Sequence, residues 1–276
     1  MSILISISGK KNKEDKIVTG TYVLRPNMTI PEIVDIITSG KAEPKDLKIT
    51  IIEGWNNKNI GEYFAREDIV SQENFTTEVK NVAKYQEKYS FLGDLDPLGG
   101  TLEGFLFPDT YLIYPDATAE MIVIKMLNNF DKKLTDTMKQ DITRNNRAIK
   151  EIITLASIIE KEVPNKEDQK VVAGIFWERL KNNYPLQSCA TINYILGTNK
   201  KKFSFDDTRV DSPYNTYTHK GLPPGPISNP GLNAIMAAIY PQTSDYYYFL
   251  SNPQTGETVY SRTIEEHNRN KEANGL

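Results

Sequence analysis

The stretch that most constrains this chain is residues 151–163, "EIITLASIIEKEV", which is apolar around nearly the whole circumference of a helix. On a helical wheel at about 100° per residue, the only clearly polar arc holds Thr154, Ser157 and Lys161. A helix of this kind is buried on most sides, and the chain can supply a core because 39% of its 276 residues are hydrophobic. The sequence therefore predicts a globular protein with one large or two modest domains.

Two glutamates interrupt this apolar helix near its end. Glu160 falls between Ala156 and Ile153, and Glu162 falls on the other flank, about 160° away, so the two cannot act on one atom as a pair. An apolar setting raises the pKa of a carboxyl group, which then keeps a proton to donate near neutral pH. The small Ala156 leaves room for a ligand beside Glu160, which favours Glu160 as a general acid.

Helix pattern alone leaves a structural alternative open. A glutamate in this setting can form a buried ion pair with an arginine of the next helix, and Arg179 is available for it. Glu162 is the better candidate for that pair, and we also keep it among the candidate substrate-binding residues.

Hydrophobic periodicity predicts an α+β chain that is mainly helical in its second two-thirds, with helices over 118–139, 147–163 and 167–182. A strand at "KIVTGTYVL", a helix at "TIPEIVDIITSG" with Thr29 and Glu32 as a capping box, and a strand at "LKITIIEG" form a small α/β module over residues 1–54. Residues 55–276 form the second domain, with a helical connecting region (55–146) and a core (147–276). Near the end, "DYYYFLSNPQTGETVYSRT" predicts two strands joined by a turn, followed by a helix that begins at Thr263.

Composition excludes several classes of function. The net charge of −3 gives no reason to expect nucleic acid or an anionic membrane as the main partner. A single cysteine rules out an intrachain disulfide framework, and two histidines leave little material for a metal site, so we expect no metal and no cofactor. No run approaches the roughly 20 apolar residues that a membrane span needs.

The segment "YNTYTHKGLPPGPISNPG" (residues 214–231) carries four prolines and three further turn-forming glycines. Proline fixes φ and removes a donor, so this segment is predicted to be a long, stiff loop. Such loops are usually functional, and Tyr214, Asn215 and Tyr217 are residue types that stack on sugars and bind their hydroxyl and acetamide groups. The alternative is a loop that only covers the core, and His219 is predicted to be a loop residue, not a catalyst.

Together, these blocks resemble the endolytic murein transglycosylases of the MltG (YceG-like) family. The blocks that match are "GTYVLRPNMTIPEIVDIITSGK", "ITIIEG", "LEGFLFPDTY", "LASIIEKEV", "VAGIFWERL", "PLQS" and the proline-rich loop. The resemblance implies a LysM-like module, a lysozyme-like catalytic domain that cleaves the MurNAc-GlcNAc bond inside glycan strands, and Glu160 as the catalytic glutamate. It also implies an N-terminal membrane anchor, with this region on the extracytoplasmic face of the cell membrane.

The candidate substrate-binding set is then Gln187, Ser188, Tyr214, Asn215, Thr216, Tyr217 and Glu162. The sequence departs from the family at Cys189, where an aspartate usually follows "LQS". Expected partners are peptidoglycan glycan strands and the synthases that extend them, whose products the enzyme would terminate.

A lytic transglycosylase can work with one carboxylate, because the C6 hydroxyl of the same MurNAc is the attacking group. Glu160 would protonate the leaving oxygen and then take the proton of that hydroxyl, which yields a 1,6-anhydroMurNAc end. Two alternatives remain: a muramidase-type hydrolase in which a second acid such as Glu162 activates water, and a non-catalytic peptidoglycan-binding or division scaffold.

Overall fold

The computed structural model describes residues 22, 24, 25, 27–39, 46–96, 98–200, 202–252 and 255–275. The chain divides into two compact units, one made of Met1–Ile49 with Leu112–Asp116 and the other of Thr50–Tyr111 with Ala117–Leu276. The predicted strand "KIVTGTYVL" lies largely outside the described residues, and the predicted boundary at residue 54 stays a prediction.

The first unit contains helix α1, Ile30–Ser39, which begins where the sequence predicts it. The carboxylate of Glu32 accepts hydrogen bonds of 2.7 Å from both the backbone N–H and the hydroxyl of Thr29, so it reaches back over the start of the helix as in a capping box. In the same unit, Arg25 forms a 2.7 Å ion pair with Asp116.

The described residues are mostly helical and contain two small sheets, which confirms an α+β chain in its coarse form; the LysM-like and lysozyme-like assignments stay predictions. Strand β1 (Leu47–Thr50) pairs with β2 (Thr110–Ile113). The α-helices of the second unit as far as residue 239 are α2 (Asn57–Arg66), α3 (Gln72–Val79), α4 (Ala83–Gln86), α5 (Ala119–Lys133), α6 (Asp136–Arg144), α7 (Ile149–Glu162), α8 (Lys166–Lys181), α9 (Cys189–Leu196) and α10 (Leu232–Ile239).

Helix α7 is the apolar helix predicted at 147–163, and it lies at the centre of the second unit. All its residues from Ile152 to Ile159 are buried, and α10 packs against both α7 and α8. The proline-rich loop also packs on it: Ile227 N–H donates to the Ser157 hydroxyl at 3.0 Å, and the Ser228 hydroxyl donates to the Ser157 carbonyl at 3.1 Å. The loop is thus held against the central helix by buried hydrogen bonds.

The predicted C-terminal hairpin and helix are confirmed. Strand β3 (Tyr248–Ser251) pairs antiparallel with β4 (Thr258–Ser261), with Tyr248 opposite Ser261. Helix α11 (Ile264–Ala273) begins after Thr263, whose hydroxyl accepts from Glu266 N–H, and it packs on both strands. In the described part of the chain, none of the helices combines the length and apolar character needed to cross a bilayer.

Candidate active site

A cleft of about 500 Å³ lies at the C-terminal end of α7, and Glu162 is among its lining residues. Its walls come from α8, the start of α9, the proline-rich loop, β3 and α11. The lining residues are Glu162, Phe176, Arg179, Leu186, Gln187, Cys189, Tyr217, Tyr248, Phe249, Leu250, Ser251, Ile264, His267, Asn268 and Lys271. Among these described residues, Glu162 is the single carboxylate.

Glu162 is held by the N-terminus of α9. The Ser188 hydroxyl donates a hydrogen bond to its Oε1, and the Ala190 N–H is a further donor. Burial raises the pKa of Glu162, while these donors and the positive charge of Arg179 oppose the rise. The result is a carboxyl group that favours its protonated form yet has donors ready to stabilise the anion.

Arg179 does not form the ion pair predicted with Glu162. Its guanidinium donates instead to backbone carbonyls, to Leu186 at 2.6 Å and to Tyr247 at 2.7 and 3.1 Å. Among the described residues no salt bridge joins Arg179 to Glu160 or Glu162. Its charge therefore acts on Glu162 only at longer range.

The structure brings Gln187, Ser188 and Tyr217 together with Glu162. Thr216 connects them: its carbonyl accepts from Gln187 N–H and its hydroxyl accepts from Ser188 N–H, both at 3.0 Å. Gln187 has a left-handed backbone, with φ of 51°. The proline-rich loop and the start of α9 are thus joined beside the carboxylate.

Cys189, at the position where the sequence departs from the family pattern, is exposed and lines the same cleft. Its Sγ lies 3.0 Å from the Tyr217 hydroxyl. Desolvation raises the pKa of this thiol, the Tyr217 hydroxyl opposes the rise and the nearby Glu162 adds to it. The thiol is therefore neutral near pH 7 and gives the cleft no second negative charge.

Three of the loop residues predicted to bind substrate make contacts inside the protein. Asn215 is fully buried, and its amide donates to the carbonyls of Thr208 and Val210 and accepts from Tyr217 N–H. Thr216 is buried between the loop and α9. The Tyr214 ring packs against Tyr194, with centroids 5.1 Å apart, and neither ring lines the cleft. These residues shape the loop that presents Tyr217.

The hydrogen bond that the structure describes for Glu160 is with the end of the proline-rich loop and not with a predicted binding residue. Its Oε2 accepts a 3.0 Å hydrogen bond from Gly231 N–H at the end of the proline-rich loop. Burial raises the pKa of Glu160 to about 7; Gly231 N–H and Lys161 oppose the rise, and the carboxylate of Glu53 adds to it. A Cβ at Gly231 would overlap the side chain of Glu53, which would have to move to make room. Glu160 does not line the 500 Å³ cleft.

A third buried carboxyl group, Glu103, lies in the block "LEGFLFPDTY". Both oxygens of Glu103 are 3.0 Å from Asn57 N–H, and Oε1 accepts from the Asn229 amide at 3.2 Å. Burial raises the pKa of Glu103 to about 8, with the backbone donors Asn57 and Gly104 opposing the rise. Asn229 also accepts from Leu106 N–H, so Glu103 helps to fix the proline-rich loop.

Sequence reasoning missed the wall of the cleft that α11 provides. Ile264, His267, Asn268 and Lys271 line it. Their spacing of three, four and seven residues marks one face of a helix, a signal that the sequence carried. Their placement in the same cleft as Glu162 depends on the hairpin on which α11 packs.

Comparison with known proteins gives consistent results over nearly the whole chain. The chain is 34% identical over 261 residues to a Bacillus subtilis protein named endolytic murein transglycosylase, covering 92% of this chain and 72% of the relative. It is 31% identical over 290 residues to a protein of the same name from Streptococcus pneumoniae serotype 2, covering 97% of this chain but 52%, about half, of that relative's length.

A solved structure and a family model agree with these relatives. The crystal structure of a putative yceG-like protein from Listeria monocytogenes superposes with a TM-score of 0.74 at 34% identity, covering 98% of this chain and 90% of that one. The model of the YceG-like family matches residues 2–273. This chain therefore belongs to the YceG-like family.

Proposed function

We propose that this chain is an endolytic peptidoglycan lytic transglycosylase that cleaves the MurNAc-GlcNAc β-1,4 bond within glycan strands and leaves 1,6-anhydroMurNAc ends. The names of its relatives supply the substrate class. The observation that carries the proposal is the cleft of about 500 Å³ with a single, desolvated carboxyl group, Glu162, among its described lining residues. Termination of growing strands beside a synthase, on the extracytoplasmic face of the membrane, is part of the same proposal.

In this mechanism Glu162 is the general acid. Burial favours its protonated form, so it can protonate the glycosidic oxygen as the bond breaks. The Ser188 hydroxyl and the Ala190 N–H then stabilise the carboxylate that remains. The carboxylate takes the proton of the C6 hydroxyl as that oxygen attacks C1 of the same sugar, and the acid is restored.

The absence of a second carboxylate from the described lining favours this route over hydrolysis. Glycosidases that use water need a second carboxylate as base or nucleophile. Cys189 does not replace one, because desolvation keeps its thiol neutral near pH 7. An attack from within the same sugar needs no bound water and gains from a high effective concentration.

The choice of Glu162 differs from the assignment of Glu160 that the family resemblance implies. Glu160 has a pKa of about 7, which suits a general acid. Glu160 does not, however, line the cleft that holds Gln187, Cys189 and Tyr217. We therefore assign the acid to Glu162 and a loop-fixing role to Glu160.

One experiment separates these possibilities. Purified peptidoglycan is digested with the wild-type chain and with its Glu162→Gln and Glu160→Gln variants, and the masses of the new ends are measured. We expect anhydro ends from the wild type, a loss of about 10³-fold or more with Glu162→Gln, and substantial activity with Glu160→Gln.

Each other outcome has a definite meaning. Ends heavier by one water would identify a muramidase-type hydrolase. Full loss with Glu160→Gln and little with Glu162→Gln would return the acid to Glu160. A wild-type chain that binds glycan but never cuts it would support the scaffold alternative.

A further inference from the structure

His267, on the α11 wall, lines the same cleft as Glu162. Its imidazole is stacked on the ring of Tyr248, with centroids 5.4 Å apart and planes inclined by 26°. Another contact of the Tyr248 ring is with Arg179, whose guanidinium carbon lies 5.6 Å from the ring centroid. The plane of the imidazole is therefore fixed by a side chain that is itself anchored.

The two ring nitrogens of His267 have different surroundings. Nδ1 is buried and has no hydrogen-bond partner in the part of the chain that the structure describes. A proton on Nδ1 would be a buried donor without an acceptor, so the favoured neutral tautomer carries its hydrogen on Nε2. Since the residue lines the cleft and Nδ1 is buried, Nε2 is the nitrogen that faces the cleft.

The charges around His267 keep its ring neutral. Burial lowers the pKa of His267, and the positive charges of Lys271, on its own helix, and Arg179, on α8, lower it further. From the other walls, Glu162 of α7 and the phenol of Tyr248 face the same space. The cleft is thus offered an N–H donor that carries no charge, which suits the hydroxyl and acetamide oxygens of an uncharged sugar.

We propose that His267 is a substrate-binding residue whose Nε2–H donates a hydrogen bond to an acceptor oxygen of the glycan, across the cleft from Glu162. Tyr248 orients the ring, and the buried Nδ1 selects the tautomer. This inference rests on the proposed function, since it takes the glycan strand as the ligand. It adds a binding group on α11 to the groups contributed by α7, α9 and the proline-rich loop.

The test uses glycan binding, so that cleavage does not complicate it. All variants carry Glu162→Gln, and the ligand is a set of uncrosslinked strands of alternating GlcNAc and MurNAc, with the dissociation constant measured by calorimetry. At position 267, glutamine places an amide N–H near the position of Nε2, whereas asparagine reaches only the position of Nδ1. We expect His267→Gln to bind within about threefold of the parent, and His267→Asn and His267→Ala to bind about 5- to 10-fold more weakly.

His219→Asn is the matched control, because His219 is exposed and lies outside the cleft lining; its binding should equal that of the parent. Thermal unfolding of each variant is measured in parallel. Equal binding by the asparagine, glutamine and parent chains would overturn the inference. So would equal losses for asparagine and glutamine with equally lowered melting temperatures, which would mark a packing role for the ring.

The same data separate this inference from the proposed function. If the Glu162→Gln parent binds the strands tightly and position 267 has no effect, only the role of His267 is overturned. If that parent and the wild-type chain bind no glycan at all, both proposals fail.

Discussion

The Ser188 hydroxyl donates a hydrogen bond to Oε1 of Glu162, although the two residues are 26 positions apart in the chain. Ser188 is the residue before α9, and its own N–H donates to the Thr216 hydroxyl in the proline-rich loop. This pair of bonds joins the end of α7, the start of α9 and the loop at one carboxyl group. The relationship makes Ser188 a direct control on the pKa of Glu162.

Replacing Ser188 with alanine tests that control. The hydroxyl lowers the pKa of Glu162, so its removal raises that pKa, and the protonated acid persists to higher pH. We expect the alkaline limb of the kcat/KM profile to move to higher pH and the maximum to fall about 3- to 10-fold, since the carboxylate formed during the reaction loses a donor. Both effects are measured from the rate at which anhydro ends are released at about five pH values between 4 and 9.

The control for this prediction is Ser204→Ala, which removes an exposed hydroxyl that accepts from Asp207 N–H far from the cleft lining. Its profile should match the wild type. A Ser188→Ala profile whose alkaline limb moves to lower pH would contradict the assigned role of the hydroxyl.

The extents of the helices could be predicted from sequence because their signals are local. The apolar period predicted a helix over 147–163 and the structure has Ile149–Glu162; the next was predicted at 167–182 and is Lys166–Lys181. One predicted helix, 118–139, is in fact two, because the hydroxyl of Thr135 accepts from Met138 N–H and starts α6. Such caps act within one turn, so a single sequence contains nearly all that determines them.

The placement of the site depended on contacts that local pattern does not contain. The helical wheel separated Glu160 from Glu162, and in the structure each contacts a different segment, Gly231 for Glu160 and Ser188 for Glu162. The packing of α9, the hairpin and α11 decides which flank of α7 faces the cleft. Residue type also misled for Asn215, whose amide is saturated by its own loop and has no group left for a sugar.

Alkylation of Cys189 gives a second prediction, because it is the only cysteine in the chain and it lines the cleft. Desolvation raises the pKa of the thiol, so iodoacetamide should react slowly at pH 7 and faster as the pH rises. The added group occupies the cleft, so activity should fall in proportion to labelling. Bound glycan strands should slow the labelling reaction. Mass spectrometry with a parallel cleavage assay measures this; complete labelling with unchanged activity would exclude Cys189 from the path of the substrate.

The buried Glu103 makes stability depend on pH. Its pKa is raised in the folded protein to about 8, so the folded state holds the proton more tightly than the unfolded state. This contribution to stability is complete below the unfolded pKa and is lost as the pH rises through about 8, by up to about 5 kcal/mol. We expect the free energy of unfolding in urea to fall between pH 5 and 8 in the wild type and to fall less in Glu103→Gln.

Glu160 and Glu162 have raised pKa values as well, so some decline should remain in the Glu103→Gln chain. Glu87→Gln, at an exposed position, is the matched control and should keep the full wild-type decline. If the free energy of unfolding falls equally with pH in Glu103→Gln and Glu87→Gln, Glu103 is ionised in the folded protein and the prediction is wrong.

Gly174, in the middle of α8, tests how closely that helix approaches the segment before the hairpin. A Cβ at Gly174 would overlap the carbonyl oxygen of Gln242, and Gln242 is held there because its N–H donates to Lys170 at 3.0 Å. Removing this overlap would require the backbone to move, so we expect Gly174→Ala to lower the free energy of unfolding by about 2–3 kcal/mol.

Gly61→Ala in α2 is the control. The atoms nearest to its added Cβ are side-chain atoms of Phe75 and Gln72 at 3.3 and 3.4 Å, and alanine is more favourable than glycine within a helix by about 1 kcal/mol. Urea unfolding of both variants measures the difference. Equal free energies of unfolding for Gly174→Ala and Gly61→Ala would mean that the segment around Gln242 moves easily and does not fix the hairpin against α8.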